Sequence, residues 1–140
     1  MSFIPYLFFD GTCEEALNFY AEVFGGKVEG LMRYADLPLG AGEVPKGREA
    51  RVMNATLKVG EASLMASDSM EEGAAPRQGI SLYMGFDDAE RAGRVFDRLA
   101  RGGEVMMPFA PTFWSKGFGR CRDRYGTDWM IGVDAPPEAA

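Results

Sequence analysis

Apolar and polar positions run along the chain in two alternating periods, and the switches between them outline its elements. Residues 3–9 are an apolar, aromatic-rich run of strand length that stops at Asp10-Gly11. Thr12 stands where a helix N-cap is expected, with Glu15 three residues later as its capping-box partner. Ala16, Leu17, Phe19, Tyr20, Val23 and Phe24 then fall at helical spacing. Gly25-Gly26 ends that run, because the left-handed conformation that closes a helix costs glycine least. Residues 27–34 predict a second strand. Residues 35–51, rich in Gly and Pro, read as a long excursion of the kind that often borders a binding site. Residues 52–59 and 61–67 read as a hairpin around Gly60.

The same order then recurs. Residues 69–78 form a polar linker, and residues 79–86 an apolar strand ended by Asp87-Asp88. Either aspartate can cap a helix reaching Arg101, with Ala92, Val95, Phe96 and Leu99 on its inner face. Gly102-Gly103 ends that helix. Residues 104–109 and 117–123 predict strands, Tyr125-Gly126 a turn, residues 127–133 the last strand and residues 135–140 a frayed tail. FYAEVFGGKVE and VFDRLARGGEVM lie 77 positions apart, and KVGEASLMASD matches DRYGTDWMIGVD with Gly60 and Gly126 in register. A β-α-β-β-β order met twice implies a duplicated unit, with modules 3–68 and 79–134.

Composition narrows what such a chain can do. Its 140 residues fit one domain, and 46% apolar residues are enough for a packed core. A formal charge of −6 argues against nucleic-acid binding, which needs a basic surface. No apolar run has the length of a membrane span. The first residues lack a basic region and a small-residue cleavage site, so they read as a strand and not a signal peptide. Cys13 and Cys121 are far apart and not in CxxC spacing, which suits buried free thiols in a reducing, cytoplasmic setting. A catalytic cysteine needs a base or a nearby cation, and the chain has no histidine.

Three segments carry a family resemblance: PYLFFDGTCEEALNFYAEVFGG, LMASD and TFWSKGFGRCRDRYGTDWMI. The chain resembles the PhnB-like family of the glyoxalase/bleomycin resistance/dioxygenase (vicinal oxygen chelate) superfamily. Members are often labelled 3-demethylubiquinone-9 3-methyltransferase-like. No glycine-rich nucleotide loop joins a strand to a helix, and Gly40 to Gly42, between Pro38 and Pro45, reads as a flexible turn. The resemblance implies an α+β fold, in which two βαβββ modules form curled mixed sheets around a shared cleft with the helices outside. It also implies one glyoxalase-like domain over residues 1–140 and a homodimer.

In metal-using relatives, His and Glu on the first and last strands of the modules hold a divalent metal. Those positions fall near Ile4 to Tyr6 and at Ser81 on the first strands, and at Leu64 and Met130 on the last. None matches the imidazole and carboxylate donors that such metals take, so no metal and no cofactor are expected. Asp68, Asp123, Asp128 and Asp134 read as solvated turn residues, and Asp10, Asp87 and Asp88 as residues at helix starts. Strand alternation puts Ile4, Tyr6 and Phe8 on one face and Leu7 and Phe9 on the other, and groups Ser81, Tyr83 and Gly85. Leu64, Ala66, Met130 and Gly132 join the cleft face by the same parity.

Asn54 and Arg120, taken as equivalent positions, offer polar contacts, and a Pro-flanked loop carries Thr112-Phe113-Trp114. The candidate ligand-binding residues are therefore Tyr6, Phe8, Asn54, Ser81, Tyr83, Trp114, Arg120 and Met130. Met65 and Met106-Met107 suit a core gap as well as a pocket; Arg33 and Arg51 read as surface charges. The preferred function is a metal-free small-molecule-binding protein. The alternatives are a superfamily enzyme (isomerase, lyase or group transfer) using Tyr6, Tyr83 or a carboxylate as acid–base group, and an interaction module whose cleft is filled by its own side chains.

Overall fold

The structure, a computed structural model, describes residues 1–38, 44, 46–71, 73 and 76–134. The turn expected at Gly40 to Gly42 and the tail expected at residues 135–140 lie outside them. The chain divides into two compact units, Met1–Ala75 and Pro76–Ala140. The first contains β1 (Tyr6–Phe9), α1 (Cys13–Phe24), β2 (Lys27–Arg33), β3 (Val52–Val59) and β4 (Ala62–Asp68), with a single 3-10 turn at Tyr34–Asp36. The second contains β5 (Leu82–Phe86), α2 (Ala89–Ala100), β6 (Glu104–Ala110), β7 (Phe118–Arg122) and β8 (Asp128–Val133).

The strand orders are β1-β4-β3-β2 and β5-β8-β7-β6. In each, the first and last strands of the unit pair in parallel and the other neighbours are antiparallel. The fold is thus α+β, with two mixed four-stranded sheets and one helix for each. Among the described residues no helix is long and apolar enough to cross a membrane.

In the first unit the helical stripe Ala16, Leu17, Tyr20, Val23 and Phe24 is buried, as are Leu7 and Phe9, while Tyr6 and Phe8 are exposed. The predicted alternation along β1 therefore holds, and α1 packs on the Leu7 face. In the second unit Val95, Phe96 and Leu99 of α2 are buried together with Cys121, Trp129, Ile131 and Val133. Both helices end on the predicted Gly-Gly pairs, and the two glycines do different work. The first takes a positive φ, 74° at Gly25 and 79° at Gly102. The second has no room for a Cβ, which would strike the carbonyl oxygen of Lys58 at Gly26 and that of Arg122 at Gly103.

The helix starts differ from the capping expectation in one unit. Asp88 caps α2, its carboxylate accepting from the Glu90 amide at 3.0 Å. Thr12 makes no side-chain cap hydrogen bond. The work falls to Asp68, at the end of β4, whose Oδ1 accepts from the amides of Gly11 (2.9 Å) and Cys13 (3.0 Å) and whose Oδ2 accepts from Val52 (2.9 Å).

Asp68, Asp123 and Asp128 are not solvated turn residues: they are 3%, 3% and 6% exposed. Asp123 accepts from the Tyr125 and Thr127 amides and from the Trp129 indole. Arg33 and Arg51 are likewise more than surface charges. Arg33 meets Glu14 and the Ala50 carbonyl, and Arg51 meets Asp10 and the Ser69 carbonyl, which fastens the base of the excursion.

The register of the last strands corrects two equivalences. Tyr6 lies opposite Met65 and Tyr83 opposite Met130, so the counterpart of Met130 is Met65 and not Leu64. Leu64 and Ala66 are buried on the helix-covered face beside Leu7. Thr56 pairs with Met65 and Arg120 with Met130, so Arg120 answers to Thr56 and not to Asn54. The cause is turn length: β3 and β4 are joined by Gly60 and Glu61 alone, whereas residues 123–127 separate β7 from β8. Matching the two units on Gly60 and Gly126 slips the last strand by one residue, which reverses its face, and the strand before it by two, which keeps the face but shifts the partner.

Candidate functional site

Each sheet has one face covered by its helix and one open face, and the candidate residues sit on the open faces. Tyr6, Phe8 and Asn54 belong to the first unit. The Tyr6 hydroxyl donates to Asn54 Oδ1 at 3.4 Å, and the Tyr6 and Phe8 rings lie 5.1 Å apart. Beside them a shallow depression of about 380 Å³ is bordered by Ile4, Glu29, Thr56, Lys58 and Met65.

Ser81, Tyr83, Trp114, Arg120 and Met130 belong to the second unit. Tyr83, Met130, Arg120 and Met107 are successive register partners across β5, β8, β7 and β6, so their side chains form one row. Arg120 reaches along the sheet to Asp128, with Nε donating to Oδ1 at 3.0 Å and Nη2 to Oδ2 at 2.8 Å. Ser81 Oγ donates to the same carboxylate, and Arg122 lies 3.8 Å from it. The Arg120 hydrogen bond is the main reason that the Asp128 carboxyl is held below its ordinary pKa, and the Ser81 and Arg122 contacts act in the same direction against its burial. Arg120 therefore sits as a fixed, neutralised fork, not a free cation.

At the other end of the row the Tyr83 hydroxyl donates to Asp134 Oδ1 at 2.7 Å. That hydrogen bond comes first, with burial behind it, in pushing the tyrosine pKa up to about 12. Tyr83 is thus a hydrogen-bond donor at neutral pH and not a base. The pair needs glycines beneath it: a Cβ on Gly132 would lie 2.6 Å from the Tyr83 hydroxyl, and one on Gly85 would overlap the Asp134 carboxylate. Phe118 pairs with Gly132, and Trp114 meets Phe118 edge-on at 5.6 Å. The loop bearing Trp114 is set by Thr112 Oγ1, which accepts from the Trp114 and Ser115 amides, and by Ser115 Oγ, which donates to Val133 O. Trp114 is 48% exposed and Phe113 91%.

Three of these groups, Phe118, Asp128 and Asp134, were not among the sequence candidates. Asp128 and Asp134 share parity with Met130 along the last strand, which was the available signal. Reading them as turn residues concealed it.

The positions that hold a metal in metal-using proteins of this fold do not fit one here. They carry Ile4 or Tyr6, Met65, Ser81 and Met130, and the Ser81 hydroxyl is already engaged by Asp128. Among the described residues no three His, Cys, Asp or Glu side chains converge. Cys13 and Cys121 are buried, and burial, with Asp68 and Asp123 respectively as the next cause, pushes each thiol up to about 12, which makes both inert.

Paired βαβββ units with these strand orders define the glyoxalase/bleomycin resistance class. That fold, at 14% identity and a TM-score of 0.66, is shared with a glyoxylase/bleomycin resistance protein/dioxygenase domain from Frankia sp. EAN1pec, covering 100% of this chain and 94% of that one. Within the class, residues 1–132 match the family described as 3-demethylubiquinone-9 3-methyltransferase, and the chain belongs to that PhnB-like family. Protein YjdN of Escherichia coli K12 is 31% identical, over 95% of both chains. Protein PA1353 from Pseudomonas aeruginosa, 37% identical, superposes with a TM-score of 0.85 over 95% of this chain and 97% of that one. A putative 3-demethylubiquinone-9 3-methyltransferase, PhnB protein, from Bacillus cereus, 30% identical, gives 0.78 over 95% and 99%.

Proposed function

We propose that this chain is a metal-free small-molecule-binding protein. One observation carries the reading: the row Tyr83, Met130, Arg120 and Met107 on the open face of the second sheet, beside a half-exposed Trp114. Apolar and adaptable surface with a few fixed polar groups is the usual composition of a small-molecule site. The donors at the metal-equivalent positions argue in the same direction. An acid–base role for Tyr83 is disfavoured, because its proton is held to about pH 12 by Asp134.

Ligand binding to the folded state raises the melting temperature in proportion to the logarithm of ligand concentration. A thermal-shift screen of small aromatic and amphipathic compounds is expected to give concentration-dependent rises that Met130→Lys abolishes. A panel without a single such rise would overturn the reading. The same holds for stoichiometric tightly bound metal in protein purified without added metal.

The reading extends to a cytoplasmic homodimer. The exposed apolar side chains Phe3, Ile4, Phe8 and Phe113 support a partner surface, and two unpaired cysteines support a reducing compartment. Sedimentation equilibrium at micromolar concentration is expected to give twice the chain mass; a monomer there would remove the dimer from the proposal.

A further inference from the structure

We propose that a hollow in the first unit, where the long excursion rejoins β3, binds a phosphate dianion, free or carried on a small organic body. The Gly- and Pro-rich run of residues 35–51 has the character of a segment that borders a binding site, and the row on the second sheet makes no use of it. The hollow, of about 470 Å³, is lined by Asp10, Lys46, Gly47, Arg48, Arg51 and Gly73. That volume falls within the roughly 300–1,000 Å³ of small-molecule sites. All six residues belong to the first unit, so this site stands or falls apart from the reading of the second sheet.

The charge of that lining runs against the rest of the chain. Acidic side chains outnumber basic ones by 21 to 15 overall, whereas the hollow has three cations and one carboxylate. The carboxylate, Asp10, is already met by Arg51 Nη1 at 2.9 Å. The same nitrogen donates to the Ser69 carbonyl at 2.9 Å, so the guanidinium is held from two sides. Among the described residues Arg51 Nη2 has no hydrogen-bond partner, and Gly11 beside it carries no side chain to cover it. Arg48 is half-buried, and Lys46 is exposed and makes no ion pair among the described residues. Glu49 lies outside the lining and accepts from the Gly47 amide at 3.3 Å. A Cβ built on Gly47 or Gly73 meets nothing within 4 Å, so the wall is open at both.

A guanidinium fixed by two acceptors, beside a second arginine and a lysine, is the chemistry that holds phosphate by charge-assisted hydrogen bonds. With three cations against one carboxylate the lining carries a net +2. A phosphate dianion cancels that charge, and a carboxylate or a sulfate monoester cancels only half of it. A cationic ligand would meet three like charges, and an apolar one would find no large apolar side chain in the lining. The occupant is therefore a phosphate. The hollow also has room for a small body attached to it, so inorganic phosphate and a phosphate monoester are two sources of one chemistry.

The test titrates labelled protein, at constant ionic strength in chloride, with inorganic phosphate, phenyl phosphate and phenyl sulfate. Binding is followed by the amide shifts of Gly47 and Gly73. Phenyl phosphate is expected to saturate them and to bind about 10-fold tighter than phenyl sulfate, which has the same body and one charge fewer. Inorganic phosphate is expected to move the same amides. Whichever phosphate binds tighter names the source, and either order supports the proposal. Lys46→Gln combined with Arg48→Gln is expected to weaken phenyl phosphate about 10-fold or more. Asp10→Asn keeps an oxygen acceptor for Arg51 and removes the one opposing charge; it is expected to tighten phenyl phosphate about 3-fold, a gain that misfolding cannot produce. Equal binding of phenyl sulfate and phenyl phosphate, an unchanged affinity in the double variant, or no saturable shift at Gly47 and Gly73 overturns the proposal.

Discussion

The two units share strand order, helix placement and terminating glycines, yet they are fastened by different carboxylates. In the first, Asp68 reaches from the last strand to the start of the helix and the start of β3, binding amides 57, 55 and 16 residues away. In the second, the helix is capped two residues away by Asp88, and the buried Asp123 accepts from Tyr125, Thr127 and Trp129 of its own turn and strand. A duplicated backbone therefore constrains where strands and helices go much more tightly than it constrains which polar groups hold them. The steric demands have survived in both copies, and the hydrogen-bonding solutions have diverged.

This contrast can be broken in order of effect. Asp68→Ala leaves two buried amides and one part-buried amide without their acceptor and is expected to destabilise the protein by roughly 3 kcal/mol, against about 1 kcal/mol for Asp88→Ala. Urea denaturation of the two variants decides it, and equal losses would erase the distinction between the units. Gly26→Ala and Gly103→Ala are expected to cost about 2–3 kcal/mol each, since in both units a Cβ meets a strand carbonyl. Gly25→Ala and Gly102→Ala, which disturb only φ, are expected to cost about 1 kcal/mol.

A third comparison uses pH. Cys13 in one unit and Cys121 in the other have pKa values raised to about 12, as has Tyr83 in the second unit. Groups that hold their protons longer folded than unfolded contribute stability that is complete below the unfolded values, about 9 for thiols and about 10 for tyrosine. That stability is lost as pH climbs toward 12. Both thiols are expected to resist a thiol reagent at pH 8 until the chain is unfolded, and Tyr83→Phe to flatten the alkaline decline. The smallest expected change is Thr12→Ala, within about 0.5 kcal/mol, because Thr12 makes no cap bond.

Element order, both helix stops and the two-faced pattern of β1 were legible in the sequence because each depends on neighbours within a turn or a strand. The alternation put Tyr6 and Phe8 on the face of β1 away from the buried Leu7 and Phe9, and Tyr83 opposite Met130. The register of β4 was not legible, because a turn glycine is a poor anchor when one connection is two residues long and the other five. That anchor misplaced Leu64 and Ala66 by one residue and misaligned Asn54 with Arg120 by two. The buried aspartates were hidden for another reason: Asp68 and Asp128 look like any strand-end carboxylate until the chain brings amides, or arginines and a serine, to them. Thr12 and Glu15 supplied a capping signature, and a residue from far along the chain took its place.

The reach of Asp68 also bears on the order in which the first unit can assemble. The start of α1 gains its acceptor only when β4 is already in position, so residues 11–13 stay unfastened until the chain has been made and folded through residue 68. Contacts of such long sequence separation form late and slow a folding reaction. The second helix, capped from two residues away, is under no such delay. During synthesis the first unit, though made first, must wait for its own last strand before its helix is secured at both ends.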